Sequence, residues 1–162
     1  MKNRLRITIS SLLLAAACAT APDASEPAAV ARVAAGPPEV PAEGLPAQKL
    51  APGECGLFLW GMSAPRRFVF FTEASSGEAL ILHDGSPRRL VVAEAGGEVF
   101  GQFFTESGYS APGADWTVTL TLTPGELLEG GQRVRTGRLV TRGADGWETV
   151  LPVTGVRACM PG

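Results

Sequence analysis

The chain has 162 residues, 45% of them hydrophobic, and a formal net charge of −2, which gives one ordinary domain with a real core and excludes global disorder. Loss of a cleaved leader would take Lys2, Arg4 and Arg6 from the 14 basic residues, leaving 11 against 16 acidic ones, net −5. That balance excludes the basic footprint of a nucleic-acid partner, and the arginines are scattered as a G+C-rich coding bias would scatter them rather than clustered.

Residues 1–6 form a positive start, and Ile7 to Ala17 is an apolar run. It is too short to cross a bilayer, which takes roughly 20 helical residues, so residues 1–17 read as a secretory signal peptide. The junction Leu13-Leu-Ala-Ala-Ala-Cys18 resembles a bacterial lipobox, in which the cysteine thiol receives a diacylglycerol and becomes the mature N-terminus. Ala15 stands where that pattern prefers leucine, and Ala15-Ala16-Ala17 also satisfies an ordinary A-x-A site, which would leave a soluble periplasmic protein. The cysteine count favours lipidation: with Cys18, Cys55 and Cys159, pairing of the last two leaves Cys18 over, and a thioether accounts for it. The expectation is a lipoprotein held in a membrane through an N-terminal lipid. By resemblance to Gram-negative lipoproteins, Ala19 after the cysteine directs it to the outer membrane, facing the periplasm.

Residues 18–49 hold six prolines, many alanines and no aromatic residue. Such a segment cannot bury enough apolar area to offset its ordering entropy and reads as a semi-extended tether.

From residue 50 to 162 the chain reads as strands separated by Gly, Pro and Asp. Expected strands are Cys55 to Trp60, Arg66 to Thr72, Glu78 to His83, Arg88 to Ala93, Val99 to Thr105, Asp115 to Thr123, Arg133 to Thr141 and Trp147 to Ala158. The clearest places Trp116, Val118, Leu120 and Leu122 on one face and four threonines on the other, the alternation of a half-buried antiparallel strand. Asp84-Gly85 and Asp145-Gly146 are hairpin signals. The change of phase between Leu151/Val153 and Val156/Ala158 predicts a bulge or bend at Gly155. The fold class is therefore all-β, a small antiparallel barrel or sandwich of about eight strands. One disulfide between Cys55 and Cys159, in the first and last strands, would close it, and an oxidising envelope permits that bridge.

Chemistry-bearing motifs are scarce. The single histidine, His83, adjoins Asp84, but neighbouring strand residues point to opposite faces, so a structural role is expected. No zinc-ligand spacing, phosphate loop, dinucleotide fingerprint or EF-hand appears, and no cofactor is expected. Gly61-Met-Ser63 and Gly108-Tyr-Ser110 lack the second glycine of a nucleophile elbow and read as turns. The expectation is a non-enzymatic binding or structural domain. Phe68-Val-Phe-Phe71 carries apolar residues on both faces, as a central strand or a patch meant for a partner would. Tyr109, within Ser107-Gly-Tyr-Ser-Ala-Pro-Gly113, reads as an aromatic displayed on a loop and a candidate contact for an envelope protein.

Cysteines in an early strand and near the C-terminus, with Phe70-Phe71, Gly77-Glu-Ala-Leu-Ile-Leu82, Asp84-Gly85 and Leu90-Val-Val92 in order between them, resemble the membrane-bound lysozyme inhibitors of the C type. The resemblance implies a lipoprotein carrying a small eight-stranded antiparallel barrel with one such bridge. That family inhibits through Ser-Ala-Ser-Gly followed by Tyr; the corresponding stretch here is Ala93-Glu-Ala-Gly96-Gly-Glu-Val-Phe100. Gly96 matches, both serines and the tyrosine are absent, and Phe100 stands near the end as a further candidate contact. A lysozyme inhibitor-like protein and a carrier of a small apolar ligand are thus the alternatives to an unspecified binding domain.

Overall fold

The computed structural model describes residues 44–162; Cys18, the leader and the tether up to residue 43 lie outside the described residues. Eight strands follow one another: β1 (Cys55–Gly61), β2 (Phe68–Glu73), β3 (Glu78–His83), β4 (Ser86–Phe100), β5 (Phe103–Ser110), β6 (Thr117–Leu128), β7 (Gly131–Arg142) and β8 (Glu148–Cys159). Each pairs antiparallel with the next, and β8 returns to β1, so the sheet is a closed barrel. Closure removes every outer edge strand, the feature that exposes an open sheet to aggregation. Among the described residues none is helical.

The expected bridge is present. Cys55 and Cys159 are register partners on β1 and β8, with Cα atoms 4.0 Å apart and 104 positions apart in sequence. Linking so distant a pair restricts the unfolded chain, worth about 4.7 kcal/mol for a loop of this order in the chain-entropy account.

The interior is packed with side chains. Leu57 and Leu59 from β1, Phe70 from β2, Leu90 from β4, Leu120 from β6, Leu139 from β7 and Val153 from β8 are at most 1% exposed and belong to one apolar cluster. Strand β6 behaves as its alternation predicts: Val118, Leu120 and Leu122 are buried while Thr117, Thr119, Thr121 and Thr123 face solvent.

Several expected elements differ: the strand expected at Arg88 to Ala93 runs from Ser86 to Phe100, and the one expected to end at Thr123 continues to Leu128. The run Val99 to Thr105 is not one strand but the tip of a hairpin, with Phe100 paired to Phe103 across a Gly101-Gln102 turn. Gly101 has φ +64° there, and a Cβ on it would lie 2.7 Å from Arg157 Nε, so the turn needs glycine twice over. Arg157 belongs to β8, four strands away from β4 around the barrel, so the hairpin tip folds across the barrel's end. Phe100 enters the core cluster at 2% exposure, the Arg157 guanidinium lies 5.8 Å from its ring centroid, and Arg157 Nη1 donates to Gln102 Oε1 at 3.1 Å. Phe100 is therefore a plug, not an exposed contact.

Of the bulge or bend expected at Gly155, the bulge lies opposite it, on the neighbouring strand. Register shifts between Val134 and Gly137 of β7, which oppose Gly155 and Val153. Gly155 itself permits close approach: a Cβ would sit 2.0 Å from the Phe58 carbonyl oxygen.

The two-sided apolar run on β2 also resolves. A register shift between Leu59 and Trp60 lets both Val69 and Phe70 join the core. Outside, Phe58 lies 6.0 Å from Phe68 and 4.9 Å from Phe71, and Trp60 lies 5.3 Å from Phe68. The chain before β1 runs over this outer aromatic cluster. Leu45 N donates to Phe68 O at 2.7 Å, and Leu45 and Phe71 are each 6% exposed. The packed body thus includes Leu45, within the stretch read as tether.

Candidate functional site

Antiparallel order brings the β1–β2, β3–β4, β5–β6 and β7–β8 connections to one end of the barrel, opposite the Phe100 plug. Three of these connections build a continuous groove.

The β3–β4 turn is two residues long, Asp84 and Gly85, with φ of +49° and +72°, the conformation that hairpin twist favours. It ends β3 at His83, which shares the inward parity of Ala79 and Ile81. Trp116 precedes β6 on the parity of Val118 and Leu120 and packs against the core cluster. The two rings stack at 4.2 Å with planes 16° apart, roofing the interior at this end. His83 Nε2 also lies 3.5 Å from Asp84 Oδ2. The expectation that these neighbours diverge fails because Asp84 is a turn residue, not the next residue of a strand.

The β7–β8 connection is folded on itself. Gly143 N donates to Trp147 O at 3.0 Å, Gly146 N to Gly143 O at 3.0 Å, and Trp147 N to Asp145 Oδ1 at 3.1 Å. The Asp145 side chain makes the Asx turn its residue type favours. Trp147, expected to begin the last strand, is held in this turn with 79% of its surface exposed.

The groove has two lobes that share His83 and Trp116. One, of 380 Å³, is walled by Trp147, Asp115, Asp145, Thr141 and Thr149. The other, of 570 Å³, runs past Asp84, Arg88, Arg89, Pro112 and Gly113. Arg89 is ion-paired with Glu78, whereas no lysine or arginine lines the Trp147 lobe. Open, part-aromatic and part-polar, the groove can hold a ligand by surface contact and hydrogen bonding. Among the described residues, no group of three or more His, Cys, Asp and Glu is placed to hold a metal ion.

The residues singled out from sequence do not assemble there. Cys55 and Cys159 lie at the opposite end, in the bridge. Phe100 is the plug. Gly96 is half-buried within β4, so the stretch aligned with an inhibitory loop is a bulged strand paired with β5. Tyr109 is a strand residue paired with Val118, 4% exposed and inside the core cluster. Its display on a loop is thereby overturned: β5 continues through the Ser-Gly-Tyr-Ser run because each residue finds a partner on β6. Cys18 lies outside the described residues.

No family model, curated protein or solved structure matches the chain.

Proposed function

We propose that this is a lipid-anchored protein of the bacterial envelope, tethered through Cys18 in the outer membrane and facing the periplasm, whose barrel is a non-enzymatic binding domain working through the Trp147 groove. The exposure of Trp147 carries this reading. A turn fixed by three hydrogen bonds presents Trp147 to water with 79% of the residue's surface exposed, beside a second tryptophan that walls the same lobe. Large aromatic surface held out in this way offers a contact face at low conformational cost. The leader, the lipobox-like junction and the leftover cysteine support export and anchoring. Two or more acyl chains hold a protein in a bilayer far more firmly than one.

The filled interior speaks against a carrier, whose ligand would need the space that Phe70, Leu120 and their neighbours occupy. The strand conformation of 93–100, lacking the serines and tyrosine of an inhibitory loop, speaks against lysozyme inhibition.

Two readouts on the full chain test the proposal. Cys18→Ser moves the protein from the membrane to the soluble fraction; unchanged retention refutes anchoring. Hydrogen exchange of the anchored protein in native envelope material, compared with purified protein, shows added protection at residues 111–116 and 143–149; identical exchange there refutes the groove as a binding site.

A further inference from the structure

We infer that the Trp147 lobe of the groove is a site for a neutral saccharide chain, an inference that rests on the binding role proposed above and names its ligand class. The argument starts from what the lobe presents. Trp147 and the stacked Trp116–His83 pair supply aromatic surface, while Asp115 and Asp145 supply carboxylates and Thr141 and Thr149 supply hydroxyls on the same walls. A ligand that satisfies both must carry an apolar face and a rim of hydrogen-bonding groups. A pyranose does: its axial C–H bonds form a patch that lies flat on an indole face, and its equatorial hydroxyls point outward to donate to carboxylates and exchange hydrogen bonds with threonine hydroxyls.

Other classes fit less well. A purely apolar ligand would strand the two carboxylates away from water without partners, which costs free energy. A phosphate or other anion would meet Asp115 and Asp145 with no cation lining the lobe to offset them. Nucleic acid meets the same repulsion and an acidic protein besides. A cationic peptide suits the carboxylates, yet the threonine hydroxyls offer it little, and binding by charge alone would be lost in salt. The lobe is also an open trough of 380 Å³ rather than an enclosed pit. An open trough accepts an internal stretch of a polymer as readily as its end, and the second lobe continues past the His83–Trp116 stack.

The recognition is weak for each sugar unit and cumulative along a chain, because each unit adds one stacking face and two or three exchangeable hydrogen bonds. Tethering offsets that weakness by raising the local concentration of the domain near its target.

The test uses the full-length mature protein in a sugar-free zwitterionic detergent, followed by isothermal titration calorimetry. The probes are neutral tetrasaccharides: α- and β-linked glucose, β-linked mannose and β-linked N-acetylglucosamine, with hexalysine as the competing class. The expected result is a saturable heat of binding with at least one tetrasaccharide, resistant to high salt. Trp147→Ala, which alters a residue the fold does not bury, weakens that binding at least about tenfold, the equivalent of ~1.4 kcal/mol of lost contact. Asp115→Asn weakens it less. No response to any tetrasaccharide, or a response unchanged in Trp147→Ala, overturns the inference. If hexalysine alone responds and Trp147→Ala abolishes it, the saccharide assignment falls while the groove remains a binding site. Silence toward all probes, together with unchanged hydrogen exchange in envelope material, removes both.

Discussion

Tyr109 meets Phe70 edge-on, with ring centroids 5.4 Å apart and planes at 67°, so the one tyrosine of the chain is a core residue. Burial pushes its hydroxyl from the ordinary value of 10 up to about 12, against a smaller opposing effect of its hydrogen bond with Ser107. The sign of the consequence follows from proton counts. Below pH 10 folded and unfolded chains both keep the proton, and the tyrosine contributes no pH dependence. Between pH 10 and about 12 the unfolded chain loses it first, so stability falls as pH rises, by about 2–3 kcal/mol across the window. Tyr109→Phe removes that slope. Urea titrations at pH 9 and pH 11.5 check it, and equal slopes in both proteins would show that Tyr109 is solvated.

The hairpin tip supplies a paired test. Phe100→Ala empties a fully packed site and costs about 3–5 kcal/mol. Val99→Ala, on the adjacent residue at 74% exposure, stays within about 0.5 kcal/mol. Denaturation midpoints of the two variants discriminate a plug from an exposed contact; similar midpoints would return Phe100 to the surface.

A third variant addresses the segment before β1. Leu45→Asp places a charge at a buried position beside the outer cluster of Phe58, Phe68 and Phe71, and should cost about 2–3 kcal/mol. Uncovering those rings should also raise the fluorescence of a hydrophobic dye under native conditions. A midpoint and dye signal equal to the parent's would mean that the segment does not hold its place in solution.

Much of the barrel could be read directly. Strands β1, β2, β3, β7 and β8 stand within a residue or two of their expected limits, because alternation and flanking turn residues reinforce each other there, whereas β6 runs five residues past Thr123. Asp84-Gly85 turned where its backbone preferences require. The errors share one cause, pairing that local composition does not encode. Ser-Gly-Tyr-Ser looks like a loop until β6 supplies partners for it. Val99 to Thr105 looks like one strand until Gly101 is seen to be pinned against Arg157, a residue 56 positions later.

The groove was less legible still. Alternation gives Trp116 its correct face, but Trp147 fits the start of a strand, since it stands beside Glu-Thr-Val. Nothing local marks His83, Trp116 and Trp147 as neighbours. Only the antiparallel order, which returns every second connection to the same end, brings them together. The one available signal was Asp145-Gly146: a tight turn there must project whatever follows it.

The pairing of Cys55 with Cys159 has a topological consequence. Because the two ends of the barrel sheet meet side by side and are joined by sulfur, the sheet is a ring with no privileged seam. A chain begun at Gly85 and ended at Asp84, with the old termini linked, would retain every rung of the ladder except the bond across one two-residue turn. The position of the N-terminus is then not dictated by the pairing of the strands.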